Sequence, residues 1–379
     1  MTQPWFWIDS PEALNDACAQ LAQCDVIGVD TEFLRETTFA PIPALIQLGD
    51  GQRAWLIDPM AVAPTDAVRE LLGPNGPVKL LHACGEDLEI FQLWLGDIPR
   101  PMIDTQVAEG FCCGEAGMGY KRLVEQRLGV DLPKDATRSD WTQRPLTETQ
   151  CRYAALDVQY LPPIWAQQQA ELEAAGRLEW VEQCCHATIE AAEHCTDHSL
   201  YYLRHKQAWR LDARRLAALA RLCEWREEEI RRRNIPRGHL ANDGQLHTIA
   251  ERLPKNIYTL ADIQGLRPSF IKRDGETVLG IIQNVLALHD HELPRILPSQ
   301  QGPAWKSTLK PLRMAVNELA ESLNIAPELL MRRREREEWI TAWLNGSRPA
   351  LPQDWRAPLL TPIWDAVFAK PAASSERLS

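Results

Sequence analysis

Asp30-Thr31-Glu32 closes an apolar, β-type run, DVIGVDTEF. On a strand, residues i and i+2 point to the same side, so the two carboxylates face one way. Paired acids repel each other and resist ionising together unless a cation lies between them. A hard divalent ion is the natural partner of such an all-oxygen set. Tyr153 and Asp157, four apart, share one face of a helix about one turn apart. That spacing lets a phenol hover over a water held at a metal-bound carboxylate. Asp87, in HACGEDLEIF, opens a helix just after a strand, a position where the helix dipole also favours an acid. Taken singly, each has a plainer reading: a solvated strand end, an amphipathic helix, a helix start.

The elements that must position these residues are legible around them. Asp25–Phe33, Ala44–Gly49, Ala54–Asp58 and Val78–His82 read as strands rich in Val, Ile and Leu. Ser10–Gln23 reads as a helix capped by Ser10 with Pro11 in its first turn. Glu86–Leu95 and Tyr120–Leu128 carry apolar residues at helical spacing. Thr147 and Gln150 form a capping box that opens the helix bearing Tyr153 and Asp157. Pro162 and Pro163 should end or kink it at about Leu161, with a further helix at about Ala166–Ala174. Strands joined first by hairpin-length loops and then by helices imply a mixed sheet covered by helices.

Strand signals disappear beyond about residue 200. Residues 207–289 read as helices broken at NIPRG, RLPKN and GLRP, and 310–368 as a degenerate second copy at an offset of about 90. Asn234-Ile235-Pro236 is echoed by Asn324-Ile325-Ala326-Pro327, and LHTIA at 246–250 by EEWIT at 337–341. The expected organisation is a first domain over 1–200, helical modules over 205–292 and 305–370, and a disordered polar tail over 371–379.

The formal charge of −11 argues against a nucleic-acid binder until the chain is divided. Residues 1–200 hold 13 Lys/Arg against 31 Asp/Glu, and residues 201–379 hold 28 against 21. The first part concentrates carboxylates; the second, at +7, can attract phosphate. A fragment ending near residue 200 keeps every candidate ligand and is expected to retain cleavage of short oligonucleotides. The start, MTQPWFWIDS, lacks the basic and apolar regions of a signal peptide, and no run of about 18 apolar residues suggests a membrane span. The expected location is therefore cytoplasmic, with the 10 cysteines as reduced thiols rather than a disulfide scaffold.

Other chemistry-bearing clusters rank lower. Cys184-Cys185-His186 followed by His194-Cys195 and His198 matches no common zinc spacing. His82, at a strand end, reads as a hydrogen-bonded structural residue. The run Arg231-Arg232-Arg233 follows Glu227, Glu228 and Glu229 by four residues each, the favourable order for helical ion pairs. Arg332–Arg334 stand likewise beside Glu335, Glu337 and Glu338. Lys255, Lys272 and Arg273 are better candidates for phosphate contacts, and Phe33 for stacking on a base.

The order D-x-E on the first strand, D after a later strand and Y-x-x-x-D on a late helix resembles the DEDD exonuclease superfamily. Within it, GVDTEFLRE, ALIQL, LLHACGEDLEIF, IDTQVAEGF, GYKRLVEQRLGVDLPK, SDWTQRPLT and YAALDVQYL resemble the ribonuclease D family, continuously over about residues 5–165. Arg152 stands where the histidine branch carries His, so Tyr153 places the sequence in the tyrosine branch. RNIPRGHLANDGQLHTIAERLP, IQGL and RDGETVLGII resemble the HRDC module; the second copy fits it poorly.

The resemblance implies a ribonuclease H-like α/β exonuclease domain followed by two all-α HRDC domains. It further implies two divalent ions, Mg²⁺ or Mn²⁺, in the carboxylate cluster. Asp30 would bridge both; Glu32 and Asp157 would hold the ion beside the attacking water; Asp87 would support the second. Tyr153 would orient the water and help take its proton. The implied reaction is 3′–5′ hydrolysis of RNA to nucleoside 5′-monophosphates, with 3′-extended tRNA precursors as partners. The rival readings are a DNA 3′–5′ exonuclease and a non-catalytic RNA-binding scaffold.

Overall fold

The computed structural model describes residues 4–133, 139–194 and 197–368; the tail expected at 371–379 lies outside them. The first part runs β1 (Trp5–Ile8), α1 (Pro11–Leu21), β2 (Val26–Leu34), β3 (Ile42–Gly49), β4 (Ala54–Ile57), α2 (Asp66–Leu72), β5 (Val78–Leu81), α3 (Asp87–Trp94), β6 (Met102–Asp104), α4 (Thr105–Cys113), α5 (Tyr120–Leu128), α6 (Glu148–Gln159), α7 (Leu161–Ala174) and α8 (Leu178–Glu193). The second is helical: α9 (Ala213–Arg233), α10 (Arg237–Leu240), α11 (Asp243–Arg252), α12 (Ile257–Ala261), α13 (Pro268–Ala287), α14 (Pro303–Leu323), α15 (Pro327–Leu330), α16 (Arg333–Leu344) and α17 (Ala357–Phe368).

The six strands form one mixed sheet in the order β1-β4-β3-β2-β5-β6. The hairpins β2–β3 and β3–β4 are antiparallel, while β5 and β6 extend the sheet parallel to β2. Two strands, β1 and β6, were not expected, being only four and three residues long. Alternation sorts the two sides of β2. Ile27 and Val29 enter an apolar cluster with Leu14, Leu88 and Phe91, while Gly28 faces α6.

Thr147 caps α6 as its spacing with Gln150 predicts, with both arms of the capping box formed. The prolines act earlier than expected. α6 stops at Gln159 and a new helix starts at Leu161, with Pro162 and Pro163 in its first turn, where a missing N–H costs no helical bond.

The two helical units repeat each other at a constant spacing of 90. Two helices of 21 residues, starting at Ala213 and Pro303, both end at an asparagine in the left-handed region, Asn234 (φ 49°) and Asn324 (φ 49°). Each is followed by a four-residue helix, Arg237–Leu240 or Pro327–Leu330. Asparagine tolerates that backbone better than other residues with a Cβ. The correspondence sensed at Asn234 and Asn324 is therefore a matched turn.

The units pack differently. Helices α9 to α13 enclose their own apolar cluster around Leu219, Leu222, Ile249 and Ile282. Trp305, Leu312 and Val316 of α14 and Trp355, in the turn before α17, instead join the cluster that also holds Phe111, Trp165 and Val181. Trp355 stacks on Trp180 at 4.6 Å and meets the edge of Phe111 at 5.2 Å. Ala326 N–H donates to Gly110 at 2.9 Å. The first unit touches the sheet through the β2–β3 loop, where Asn234 Oδ1 accepts from Phe39 N–H at 3.0 Å and Ala40 N–H at 2.9 Å.

Candidate metal centre

The site depends on how closely α6 lies on the sheet. Gly28 and Gly49 stand opposite each other on β2 and β3, and Val158 fills the notch they leave. A Cβ on Gly28 would lie 2.3 Å from the Val158 carbonyl oxygen, and one on Gly49 2.8 Å from its Cγ2. The first contact is with backbone, so no side-chain rotation could relieve it. The absence of both Cβ atoms lets Asp157, one residue earlier, reach the acids of β2.

Asp30, Glu32 and Asp157 offer carboxylate oxygens that all lie within 4.8 Å of one another. Each keeps an edge toward solvent, yet protein crowds the charges. Burial, then Asp87, Asp157 and Glu32, push the Asp30 carboxyl well up. Burial, then Asp157 and Asp87, push Glu32 up to about 8. Burial likewise raises Asp157. Acids crowded this closely resist ionising together unless a cation lies between them, and the donor set, oxygen throughout, suits a hard divalent ion.

Asp87 stands apart from this trio and nonetheless within its field, raising the carboxyls of Asp30 and Glu32. Thr31, pointing to the other side of β2, donates its hydroxyl to Asp87 at 2.5 Å. Burial lifts the Asp87 carboxyl to about 6, against the downward pull of that bond. The turn before Asp87 is clamped by buried Asp104, which accepts from Ala83 N–H at 3.0 Å and Cys84 N–H at 3.1 Å. The clamp holds Ala83 at φ 61°, a conformation costly for alanine.

Tyr153 lies one turn before Asp157, its ring 6.1 Å from Trp141. Burial, then Asp157, Glu32 and Asp30, raise its phenol. A second tyrosine was not expected here. Tyr120, at the start of α5, donates to the Leu156 carbonyl at 3.0 Å, and the Tyr160 N–H faces the Tyr120 hydroxyl oxygen. In a continuing helix those two backbone groups would bond each other, so this hydroxyl wedges open the last turn of α6 beside Asp157. His82 braces the Tyr120 ring at 5.5 Å while bonding Thr105 Oγ1 at 3.0 Å and the Met118 carbonyl at 2.9 Å, the structural part its strand-end position suggests. A cavity of about 810 Å³ opens between α5 and α6, walled by Tyr120, Arg122, Tyr153, Leu156 and Asp157. A larger one of about 1070 Å³, between α1 and α2, touches none of Asp30, Glu32, Asp87 and Asp157.

Gln47 is the other residue sequence reasoning passed over. It pairs with Asp30 across the sheet, is fully buried, and finds no partner for either amide atom among the described residues. An orphaned amide beside the acids is a further sign of a site that takes a ligand.

The remaining clusters behave as their spacing suggests. Cys184 and Cys185 are consecutive in α8, and Cys185 Sγ accepts from Asp104 N–H at 3.3 Å. Cys195 lies outside the described residues, among which the acidic trio is the one group able to hold a metal. Arg231 pairs with Glu227 at 2.9 Å and Arg233 with Glu229 at 2.5 Å, while Arg232 turns to Glu229 instead of Glu228. Arg333 and Arg334 pair with Glu337 and Glu338, each at 2.8 Å. Arg273 pairs with Asp274 at 3.1 Å, which weakens it as a phosphate contact. Phe33 lies under the guanidinium of Arg35 at 5.8 Å.

The 3′–5′ exonuclease family profile matches residues 5–173, and the HRDC domain profile matches 215–282. The chain is 40% identical to ribonuclease D of Pseudomonas paraeruginosa over 86% of its own length and 87% of that protein. It is 33% identical to ribonuclease D of Escherichia coli over 93% of its length and 95% of that protein. The crystal structure of Escherichia coli RNase D, described as an exoribonuclease involved in structured RNA processing, superposes with a TM-score of 0.87 at 31% identity, covering 96% of this chain and 98% of that one. A mixed sheet flanked by helices, an acidic cluster at the end of its central strand, and this degree of likeness over nearly the whole length lead to one assignment: the chain belongs to the ribonuclease D family.

Proposed function

We propose that this protein is a 3′–5′ exoribonuclease whose acidic trio and Asp87 hold two divalent ions, Mg²⁺ or Mn²⁺, and whose substrates include tRNA precursors with 3′ extensions. The observation that carries the reading is the convergence of Asp30, Glu32 and Asp157 oxygens within 4.8 Å beside a groove lined by Tyr153. Asp30 is assigned to both ions, Glu32 and Asp157 to one, and Asp87 to the other. When bound, the ions supply charge neutralisation at the scissile phosphate and make water more acidic. Asp87, standing outside the trio and tied by Thr31, suits contact through water. Tyr153, one turn before Asp157, would orient the attacking water and help take its proton, with the ions doing most of the activation. The product is a nucleoside 5′-monophosphate.

The proposed organisation is an exonuclease domain over 1–200, a first HRDC domain over 205–292 and a second, degenerate one over 305–370. The matched left-handed turns at Asn234 and Asn324 support the second copy. A cytoplasmic location belongs to the same reading; among the described residues no helix is long and apolar enough to cross a membrane.

The test is incubation of the full chain with 3′-extended tRNA, single-stranded RNA and DNA of matched sequence, with Mg²⁺, with Mn²⁺ and with EDTA. Stepwise shortening of RNA that EDTA abolishes is expected. Preference for DNA would favour a DNA exonuclease, and binding without shortening a scaffold.

A further inference from the structure

Away from the carboxylates, the 203–210 segment, Gln300, Gln301 and the start of α16 line a cavity of about 400 Å³. Arg204, Lys206 and Arg210 line it together with Arg333 from α16, and Trp209 contributes an aromatic wall. Its single acidic lining residue, Glu337, is paired with Arg333 at 2.8 Å. Arg204 and Arg210 lie over aromatic rings, Tyr201 at 4.2 Å and Trp209 at 5.1 Å. Stacking of this kind orients a guanidinium without neutralising it. Neither they nor Lys206 make an ion pair among the described residues. The contrast with the arginine runs of α9 and α16 is direct, since those are largely cancelled by glutamates on their own helices.

We propose that this cavity binds the phosphodiester backbone of an RNA strand, with Arg204, Lys206 and Arg210 on successive phosphates and Trp209 offering a face to a base. Arginines beside an aromatic ring are the combination that holds single-stranded nucleic acid without reading its sequence. The need for such a site follows from the charge division. The exonuclease half, with 31 acids against 13 bases, repels every phosphate beyond the few its cations neutralise, so a long substrate must be held on the basic half. The site rests on RNA being the substrate.

The experiment uses the full chain carrying Arg204→Gln, Lys206→Gln and Arg210→Gln together. A second triple variant, Arg232→Gln, Arg334→Gln and Arg348→Gln, removes the same charge from paired surface arginines outside the cavity. Binding of a 3′-extended tRNA in EDTA is followed by anisotropy across a salt series, and turnover of a five-nucleotide RNA in Mn²⁺ is measured separately. For single strands each lost contact flattens the log–log salt slope by about 0.7, so the cavity variant should lose about 2. The surface variant should keep the parental slope, and both should turn over the pentanucleotide at the parental rate. Replacing Arg204 and Arg210 by Lys with Lys206 intact should preserve the slope. An unchanged slope in the cavity variant, or the same flattening in both variants, would overturn the site. Failure of the parent itself to shorten the pentanucleotide would instead remove the exonuclease reading.

Discussion

Thr31 and Asp87 are joined across the edge of β2, hydroxyl to carboxylate, at 2.5 Å. The acid outside the trio is therefore held by the residue lying between the two acids of the first strand. Thr31→Val keeps the shape and removes the bond, which also lets the Asp87 carboxyl climb above about 6. A hydrogen bond to a charged group contributes about 1.5–3 kcal/mol, so turnover should fall on the order of tenfold or more. The acid limb of the pH–rate profile should move upward. An unchanged rate and profile would show that the bond does not matter to the reaction.

Gly28→Ala tests the contact beneath α6. Its Cβ would meet the Val158 carbonyl at 2.3 Å, so the helix must shift away from the sheet and carry Asp157 from Asp30 and Glu32. Mn²⁺ affinity and turnover should drop together by at least about tenfold, since small displacements in a preorganised site are costly. Stability should also fall, by about 1–3 kcal/mol for overpacking. Parental Mn²⁺ affinity, measured calorimetrically, would mean that α6 need not sit this close.

Single Asn or Gln replacements of Asp30, Glu32, Asp87 or Asp157 should each lower hydrolysis by orders of magnitude, because ligands acting as a unit are not additive. Without metal the same variants should melt no lower than the parent, since each relieves the crowding of buried acids. A residue whose replacement leaves the rate within a few-fold does not belong to the site.

Protons and cations compete for these acids. Glu32 rises from 4.5 to about 8 on folding, so between those values the folded chain binds more protons than the unfolded one. Stability in EDTA should then decrease as pH rises through that window and level off above it. Mn²⁺ should offset the decline by binding the ionised acids. Scanning the melting temperature of the parent against Glu32→Gln isolates this group, and parallel profiles in EDTA would rule out the raised carboxyl.

Two tyrosines should separate under kinetics. Tyr153→Phe should lower kcat strongly with KM nearly unchanged, as for an interaction made chiefly in the transition state. Tyr120→Phe, which loses the hydroxyl between the Leu156 carbonyl and the Tyr160 N–H, should weaken Mn²⁺ affinity and be rescued in part by excess Mn²⁺. If Tyr153→Phe raised KM as much as it lowered kcat, its hydroxyl would be a binding group.

The sequence made the proposed ligands visible because strand and helix periodicities place Asp30 with Glu32 and Tyr153 with Asp157 on common faces. It could not show what brings those faces together. Gly28 and Gly49 act through what they lack, and a glycine at a strand end has no periodic signature. Thr31 carries the chemistry of a spacer until the fold sets it against Asp87, 56 residues away. Tyr120 reads as the first residue of an amphipathic helix; only tertiary contact turns its hydroxyl toward the end of another. The strands β1 and β6 were too short to outweigh the turns beside them.

The shared cluster of Phe111, Trp180 and Trp355 bears on how the chain is made. Helices α9 to α13 close on themselves and form a loop between two parts of one core. A ribosome delivers the sheet first and the helices that seal its flank last, so nascent protein emerging as far as Ala287 still bares an aromatic wall. A fragment stopping near residue 200 keeps every proposed ligand, as the sequence indicates, but is frozen at that unfinished stage. It should stick to itself or to holding chaperones. A shorter active form would be obtained by excising the inner loop and joining its two ends.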